Sequence, residues 1–107
     1  MPRQARKRSE ADIYHVTIRG VARVLVFEDD ADRARFLDLL GGMLRLTDGE
    51  LLAWCLMGNH VHLLFHMELG RLSEGMKRLE SSYASYFNKR HSRAGHLFQD
   101  RFGRTGK

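Results

Sequence analysis

The chain has 107 residues, of which 43% are hydrophobic and 29% are charged. This length and composition fit one globular domain with a single two-layer core. No apolar stretch approaches the roughly 20 residues of a membrane span, and residues 1–8 lack the apolar segment of a secretory signal. The single cysteine, Cys55, excludes an internal disulfide and is expected to be a small buried residue. We therefore predict a cytoplasmic protein without a membrane partner, with a basic tail at residues 1–11 and one domain at residues 12–107.

The net charge of +5 is unevenly distributed. Residues 1–8 carry four basic and no acidic residues, and residues 77–107 carry eight basic and two acidic residues. The segment between them has six basic and eleven acidic residues. Positive ends around an acidic middle can form one basic face for a polyanion. Basic tails also serve solubility, so charge alone favours nucleic acid without specifying it.

The first half of the chain predicts a strand followed by a helix. Residues 13–19 are rich in β-branched side chains and end at a glycine, which indicates a strand. Residues 24–27 are expected to form a second, short extended piece. Asp29 or Asp30 can then cap a helix whose apolar stripe covers residues 36–44.

The second half predicts a hairpin, a helix and a last strand. Residues 50–57 and 60–67 read as two strands joined by a short Gly-Asn loop. A long amphipathic helix is expected to open at Ser73 or Arg71, and residues 95–102 look like a turn into a short strand. The order strand, helix, hairpin, helix, strand predicts an α+β fold, a ferredoxin-like antiparallel sheet with two helices packed on one face.

A histidine pair within the hairpin is the first candidate site. His60 and His62 are two residues apart on a predicted strand, so both side chains project from the same face. Two adjacent imidazoles can reach one metal ion or one phosphate. The motif is weak without structural context, and a metal-free exposed pair is the alternative.

Two histidines leave a metal site incomplete, so a third ligand is needed. His66 shares the strand face but lies roughly 13 Å from His62 at about 3.3 Å per residue, too far for a common site. His15, Glu80 or Gln99 could contribute, and the spacing selects none of them.

Candidate nucleophiles and nucleic-acid contacts cluster in the last third of the chain. Tyr83 and Tyr86 could attack phosphorus with metal assistance, but both continue an apolar helical stripe, for which a core role is favoured. Cations interleaved with aromatic rings suit single-stranded nucleic acid, and a solvated basic face is the alternative. The DNA-binding candidates are Arg19, Lys89, Arg90, Arg93, Phe98, Arg101 and Arg104.

Four segments in order resemble one known family. Residues 14–20, 53–64, 83–91 and 95–102 are similar to the REP-associated tyrosine transposases, which belong to the single-tyrosine HUH transposases of bacterial insertion sequences. The resemblance covers essentially the whole chain from about residue 12 to residue 102. It implies a ferredoxin-like fold whose central strand carries the histidine pair.

The resemblance also implies a chemistry. His60 and His62 would hold Mg²⁺ or Mn²⁺ against the scissile phosphate of single-stranded or hairpin DNA while a tyrosine attacks phosphorus. The products would be a 5′-phosphotyrosine and a free 3′-hydroxyl, without ATP. In the family the catalytic tyrosine and a further polar metal ligand lie on a helix downstream of residues 95–99. This sequence ends at Gly103–Lys107, before any such helix, and neither Tyr83 nor Tyr86 matches the nucleophile's position.

Three hypotheses follow for the function. The chain is a truncated transposase-type domain that binds DNA and a metal ion but cannot cleave alone. Alternatively it is an enzyme in which Tyr83, Tyr86 or a helix of another chain attacks. The third is a non-catalytic nucleic-acid-binding module that regulates a full-length relative. The oligomeric state stays open, a homodimer being one option.

Overall fold

Alternating burial along the two inner strands separates a helix-covered face of one sheet from an open face. The structure, a computed structural model, describes residues 12–99 and, for the backbone alone, residues 103–106. Its sheet has the strand order β2-β3-β1-β4, with every neighbouring pair antiparallel. The elements are β1 (Ile13–Arg19), α1 (Asp30–Thr47), β2 (Glu50–Leu56), β3 (His60–His66), α2 (Leu69–Arg90) and β4 (Gly103–Gly106).

The predicted α+β fold and its element order are confirmed. Along β3, Val61, Leu63 and Phe65 are fully buried, whereas His60 and His62 are only partly buried. The buried set faces α1 and α2, as the period-two alternation of a half-buried strand requires. Burying one face of the sheet under two helices leaves its other face for function. The main core side chains from the other elements are Val16, Ile18, Phe36, Leu40, Leu72, Met76, Leu79, Tyr83 and Phe87.

The helix and strand boundaries differ from the sequence prediction in three places. Residues 24–27 form no strand; a 3-10 turn at Val21–Arg23 precedes them, and the N–H of Val26 donates to the Gly58 carbonyl. Helix α2 begins at Leu69, earlier than expected, because the Glu68 side chain accepts from a backbone N–H of the first turn. The last strand lies beyond the expected segment, at Gly103–Gly106.

The prediction that Cys55 is buried is wrong. Cys55 lies directly opposite His62 across β2 and β3, so its side chain projects from the open face of the sheet. The thiol is exposed and lies 3.5 Å from the Met57 sulfur. Within the described part of the chain, neither helix is long and apolar enough to cross a membrane.

A buried carboxylate joins the two helices. Asp32 on α1 is fully buried and accepts hydrogen bonds from the Tyr86 hydroxyl at 2.7 Å, Arg90 Nη1 at 2.8 Å and His91 Nε2 at 2.9 Å. Burial acts to raise the pKa of Asp32, but the backbone N–H of Glu28, at 2.9 Å, and these three donors outweigh it and lower that pKa below its usual value. Arg90 also pairs bidentately with Asp29, the N-cap of α1, and lowers the pKa of that carboxyl to about 2.

Replacing this carboxylate should destabilise the fold. We expect Asp32→Asn to lower the free energy of unfolding at pH 7 by about 3 kcal/mol, because it removes the negative charge and turns one of the two acceptor oxygens into a donor that faces other donors. The folded-state pKa of Asp32 lies below its ordinary 3.8, so its stabilisation is present above that pH and is lost as the pH falls. Urea unfolding measures the effect, with the exposed Asp38→Asn as control. Equal stability of the two variants would contradict the role given to Asp32.

Candidate functional site

Strand pairing brings four polar side chains together at one end of the open face. In the antiparallel register of β1 and β3, Thr17 lies opposite His62 and Arg19 lies opposite His60. Residues directly opposite each other project from the same face of a sheet. The partly buried side of β3 therefore carries the histidine pair with a hydroxyl and a guanidinium beside it.

Hydrogen bonds orient both imidazoles of the pair. The ring centroids of His60 and His62 lie 5.0 Å apart, with the rings nearly perpendicular. His60 Nδ1 lies 2.9 Å from the Asn59 side-chain oxygen, which can only accept, so Nδ1 carries the proton. His62 Nδ1 lies 3.3 Å from the Thr17 hydroxyl. With its proton on Nδ1, His60 carries its lone pair on Nε2, a nitrogen with which histidines can bind metal ions.

His15 is the one candidate third ligand that contacts the pair. Its Nε2 lies 3.1 Å from His62 Nδ1, and the two rings stack with centroids 5.2 Å apart. Glu80 instead lies on α2, in the helix layer, and Gln99 lies beside His60 in the cavity described below. Among the described residues, no group of three or more His, Cys, Asp or Glu side chains is arranged to hold a metal ion.

The electrostatics around His62 favour its neutral imidazole. Partial burial lowers the pKa of His62, and the nearby His60, His15 and Arg19 lower it further. The neutral ring is the form that binds metals, and a lowered pKa extends its population to more acidic pH. The protonation state of His62 thus fits a divalent cation.

A cationic cavity of about 470 Å³ adjoins His60. It lies where β1 ends, β3 begins and the segment after α2 returns to the sheet, held by the Gln99 N–H donating to the Arg19 carbonyl at 2.9 Å. Its lining offers guanidinium, imidazole and amide groups, a set that binds anionic oxygen. The lining residues are Arg19, Gly20, Arg23, Asn59, His60 and Gln99.

The other DNA-binding candidates lie in varied surroundings. Arg19 lines the cavity and Lys89 is exposed on α2. Arg90 is held by Asp29 and Asp32, as described above, and Arg93 donates to the Asn88 side chain at 3.1 Å. These contacts argue against Arg90 as a free phosphate ligand.

Phe98 and the last two arginines complete the set of candidates. Phe98 is only 7% exposed, and its ring lies 6.2 Å from that of Tyr83. This burial argues against base stacking and for a packing role. The side chains of Arg101 and Arg104 lie outside the described residues, so their roles stay predictions.

The tyrosines lie on the helix side of the sheet. Tyr83 is fully buried and its hydroxyl donates to the Val26 carbonyl at 2.5 Å. Burial and the charge of Asp32 raise its pKa far above the usual range. Tyr86 donates to Asp32, and burial with that hydrogen bond raises its pKa as well. Tyr14, the third tyrosine of the sequence, shares its strand face with buried Val16.

This distribution bears on catalysis. With all three tyrosines of the chain in the helix layer or on the face beneath it, none projects beside His60 and His62. A phenol with a raised pKa, held by an acceptor in the core, is also a poor nucleophile. The core role favoured in the sequence analysis therefore fits both Tyr83 and Tyr86.

Sequence reasoning missed Arg23 as a cavity residue. Arg23 follows the predicted strand after a turn whose backbone is left-handed at Ala22 and Arg23, residues that do not favour this conformation. The closing Gly20 was the only sequence signal of an abrupt change of direction there.

Comparison with known proteins identifies the family. The family model described as IS200-like transposase matches residues 9–105. The chain belongs to this family, which confirms the resemblance seen in the sequence. No curated protein matches the chain.

Two solved structures share the fold. A REP-associated tyrosine transposase bound to a REP hairpin aligns with a TM-score of 0.64 at 14% identity, over 100% of this chain and 62% of that one. A candidate transposase from Deinococcus radiodurans aligns with a TM-score of 0.67 at 17% identity, over 98% of this chain and 83% of that one. The chain thus spans less than two thirds of the length of the hairpin-bound relative.

A buried carboxylate lies near the same end of the molecule. Glu80 Oε2 is buried and has no hydrogen-bond partner within the described part of the chain. Its residue lines a small cavity with the segment 95–99, which also contributes Gln99 to the cationic cavity. Burial raises the pKa of Glu80 from its ordinary 4.5 to about 7.

This carboxyl should make stability fall as pH rises. A folded pKa of about 7 against 4.5 for the exposed group means that the folded state binds the proton more tightly. The contribution of protonated Glu80 to the stability of the folded state is fully present below about pH 4.5 and is lost as the pH rises through about 7. We expect Glu80→Gln to be the more stable protein at pH 8, by no more than about 3 kcal/mol. Thermal unfolding of both proteins between about pH 5 and pH 8 measures this difference; parallel pH profiles would refute it.

Proposed function

We propose that this chain is the DNA-binding and metal-binding domain of an IS200-like transposase and acts on hairpin single-stranded DNA in the cytoplasm. The observation that carries the proposal is the histidine pair beside a cationic cavity on a sheet face that neither helix covers. The family match supports transposition as the setting. The hairpin is proposed as the ligand because a relative of the same fold is bound to one.

The domain, residues 12–107, would hold the DNA strand by its backbone. A phosphate at the cavity would meet the Arg19 guanidinium and the face of β3 that carries His60. Guanidinium groups bind phosphate through paired hydrogen bonds and add electrostatic attraction. Backbone contacts of this kind position a strand without reading its sequence.

We further propose that His60 and His62 hold Mg²⁺ or Mn²⁺ through their Nε2 atoms. When bound, the ion would supply Lewis-acid polarisation of a phosphate oxygen. Asn59 and Thr17 contact the two rings at Nδ1, and the proposal places the metal-binding lone pair of each ring on its Nε2. The lowered pKa of His62 keeps its ring neutral near pH 7.

Strand cleavage and transfer through a phosphotyrosine, as the family resemblance implies, would need a tyrosine beside the pair. The placement of Tyr14, Tyr83 and Tyr86 argues against each of them, so we propose that a segment outside these 107 residues supplies the nucleophile. The same placement favours a second candidate function, a non-catalytic module that binds nucleic acid and regulates a full-length relative.

Loss of either histidine should weaken metal binding. We expect His60→Ala and His62→Ala each to lower Mn²⁺ affinity by at least about tenfold, because a single imidazole leaves the ion without its chelating partner. Calorimetric titration with Mn²⁺ measures the change, with His96→Ala, exposed and outside the sheet, as the matched control. Unchanged affinity in both pair variants would end the claim that the two rings share an ion.

A trapping experiment tests the separation of binding from cleavage. Labelled hairpin oligonucleotides with single-stranded flanks are incubated with the protein and Mn²⁺, then resolved on a denaturing gel. We expect a complex under native conditions and no covalent adduct, since no tyrosine of this chain projects beside the pair. An adduct that disappears in Tyr86→Phe or Tyr83→Phe would show that the helix layer rearranges to supply the nucleophile.

A further inference from the structure

A strained turn follows β1 at the edge of the cationic cavity. Within Val21–Arg23, Ala22 has φ 49° and ψ 31°, and Arg23 has φ 63°. Both residues have φ in the left-handed region, a conformation that costs energy for any residue with a Cβ. Two such residues in succession, neither of them glycine or asparagine, are uncommon and need a surrounding structure that enforces them.

Contacts on both sides of the turn enforce it. The N–H of Val21 donates to the Leu97 carbonyl at 2.8 Å, and the N–H of Gly20 donates to the Asn59 carbonyl at 2.9 Å. A Cβ at position 20 would collide with the Val24 carbonyl oxygen, so the closed turn accepts only glycine there. The turn is thus fixed to the segment after α2 and to the loop that precedes His60.

The turn presents Arg23 to the cavity that Arg19 lines from the strand. Both side chains belong to exposed residues, and among the described residues neither has an acidic partner. Other arginines differ: Arg33 pairs with Asp30, and Arg90 is held by buried and capping carboxylates. Of the described residues that line the cavity, none is acidic. Two uncompensated guanidiniums around one concavity favour an anion.

We propose that Arg23 binds a backbone phosphodiester of the DNA strand together with Arg19, and that the left-handed turn exists to hold Arg23 at the cavity. This inference rests on the proposed function and adds a binding residue to it. The gain in DNA binding from a correctly oriented Arg23 would offset the backbone strain of the turn. Backbone outliers that persist tend to lie at functional sites. Both guanidiniums would face the phosphate before DNA arrives, which reduces the ordering cost of binding.

Salt dependence of binding tests the contact. The probe is the tightest binder from a library of hairpin oligonucleotides with randomised single-stranded flanks. Between about 50 and about 250 mM KCl, we expect Arg23→Ala to weaken binding by about tenfold and to lower the slope of log K against log salt by about 0.7. Arg23→Lys should retain the slope. The control Arg45→Ala removes an exposed cation from α1, remote from the cavity, and should match the wild type.

Neutral phosphate analogues locate the contact on the DNA. Methylphosphonates are placed one at a time along the single-stranded flank. At the position that Arg23 contacts, the modification should weaken DNA binding by the wild type and leave DNA binding by Arg23→Ala unchanged. If the difference in affinity between wild type and Arg23→Ala disappears only when a terminal 5′-phosphate is removed, Arg23 binds a phosphate monoester. The proposed contact with a backbone phosphodiester is then wrong. A melting temperature equal to that of wild type shows that Arg23→Ala is folded, and Arg23→Gln gives a second test if it is not.

The outcomes separate the two proposals. If the wild type binds the hairpin and Arg23→Ala behaves like Arg45→Ala in affinity and slope, the role of Arg23 is refuted while the proposed function stands. If the wild type does not bind hairpin DNA at all, the proposed function fails, and this inference fails with it.

Discussion

The register between β1 and β3 is the constraint on which the candidate site depends. Val16 and Ile18 of one strand and Val61 and Leu63 of the other must all face the helices to be buried. That requirement places the residues that alternate with them, including the histidine pair, on the open face. A slip of one residue would exchange the two sets and bury the imidazoles under the helices. The same apolar burial that stabilises the fold therefore also assembles the site.

The helix layer determines which charges are left for a ligand. Asp32 and Asp29 draw Arg90 into the contact between α1 and α2, and the Tyr86 hydroxyl joins the same network. A buried carboxylate needs such donors, because an unpaired one would be costly. The basic segment after residue 77 consequently contributes less to the surface than its charge count implies. Near the histidine pair, the guanidinium groups without an acidic partner among the described residues are those of Arg19 and Arg23, at the end of β1.

This explains how far the sequence could predict the structure. The first strand, the hairpin and the Asp29 cap follow from local periodicity and capping chemistry, and the shared face of the pair follows from strand geometry. The pairing of Arg90 with Asp29 joins residues 61 positions apart, which no local pattern reveals. Arg23 was missed because a left-handed alanine and arginine carry no glycine signal. Cys55 was misplaced because the apolar run around it does not reveal which of its residues project from the open face of the sheet.

Binding and cleavage are separable properties in this architecture. The imidazole pair, its Asn59 and Thr17 partners and the cationic cavity all belong to the sheet and its edge loops, and none of them requires a tyrosine to keep its geometry. The tyrosines are instead part of the core, where Tyr83 closes the gap between α2 and the segment at Val26. A mutation that freed its hydroxyl for attack would remove a packed, hydrogen-bonded ring from that core. The fold can thus retain the proposed DNA-binding surface whether or not a nucleophile reaches it, so an active transposase domain and a regulatory one would share this surface.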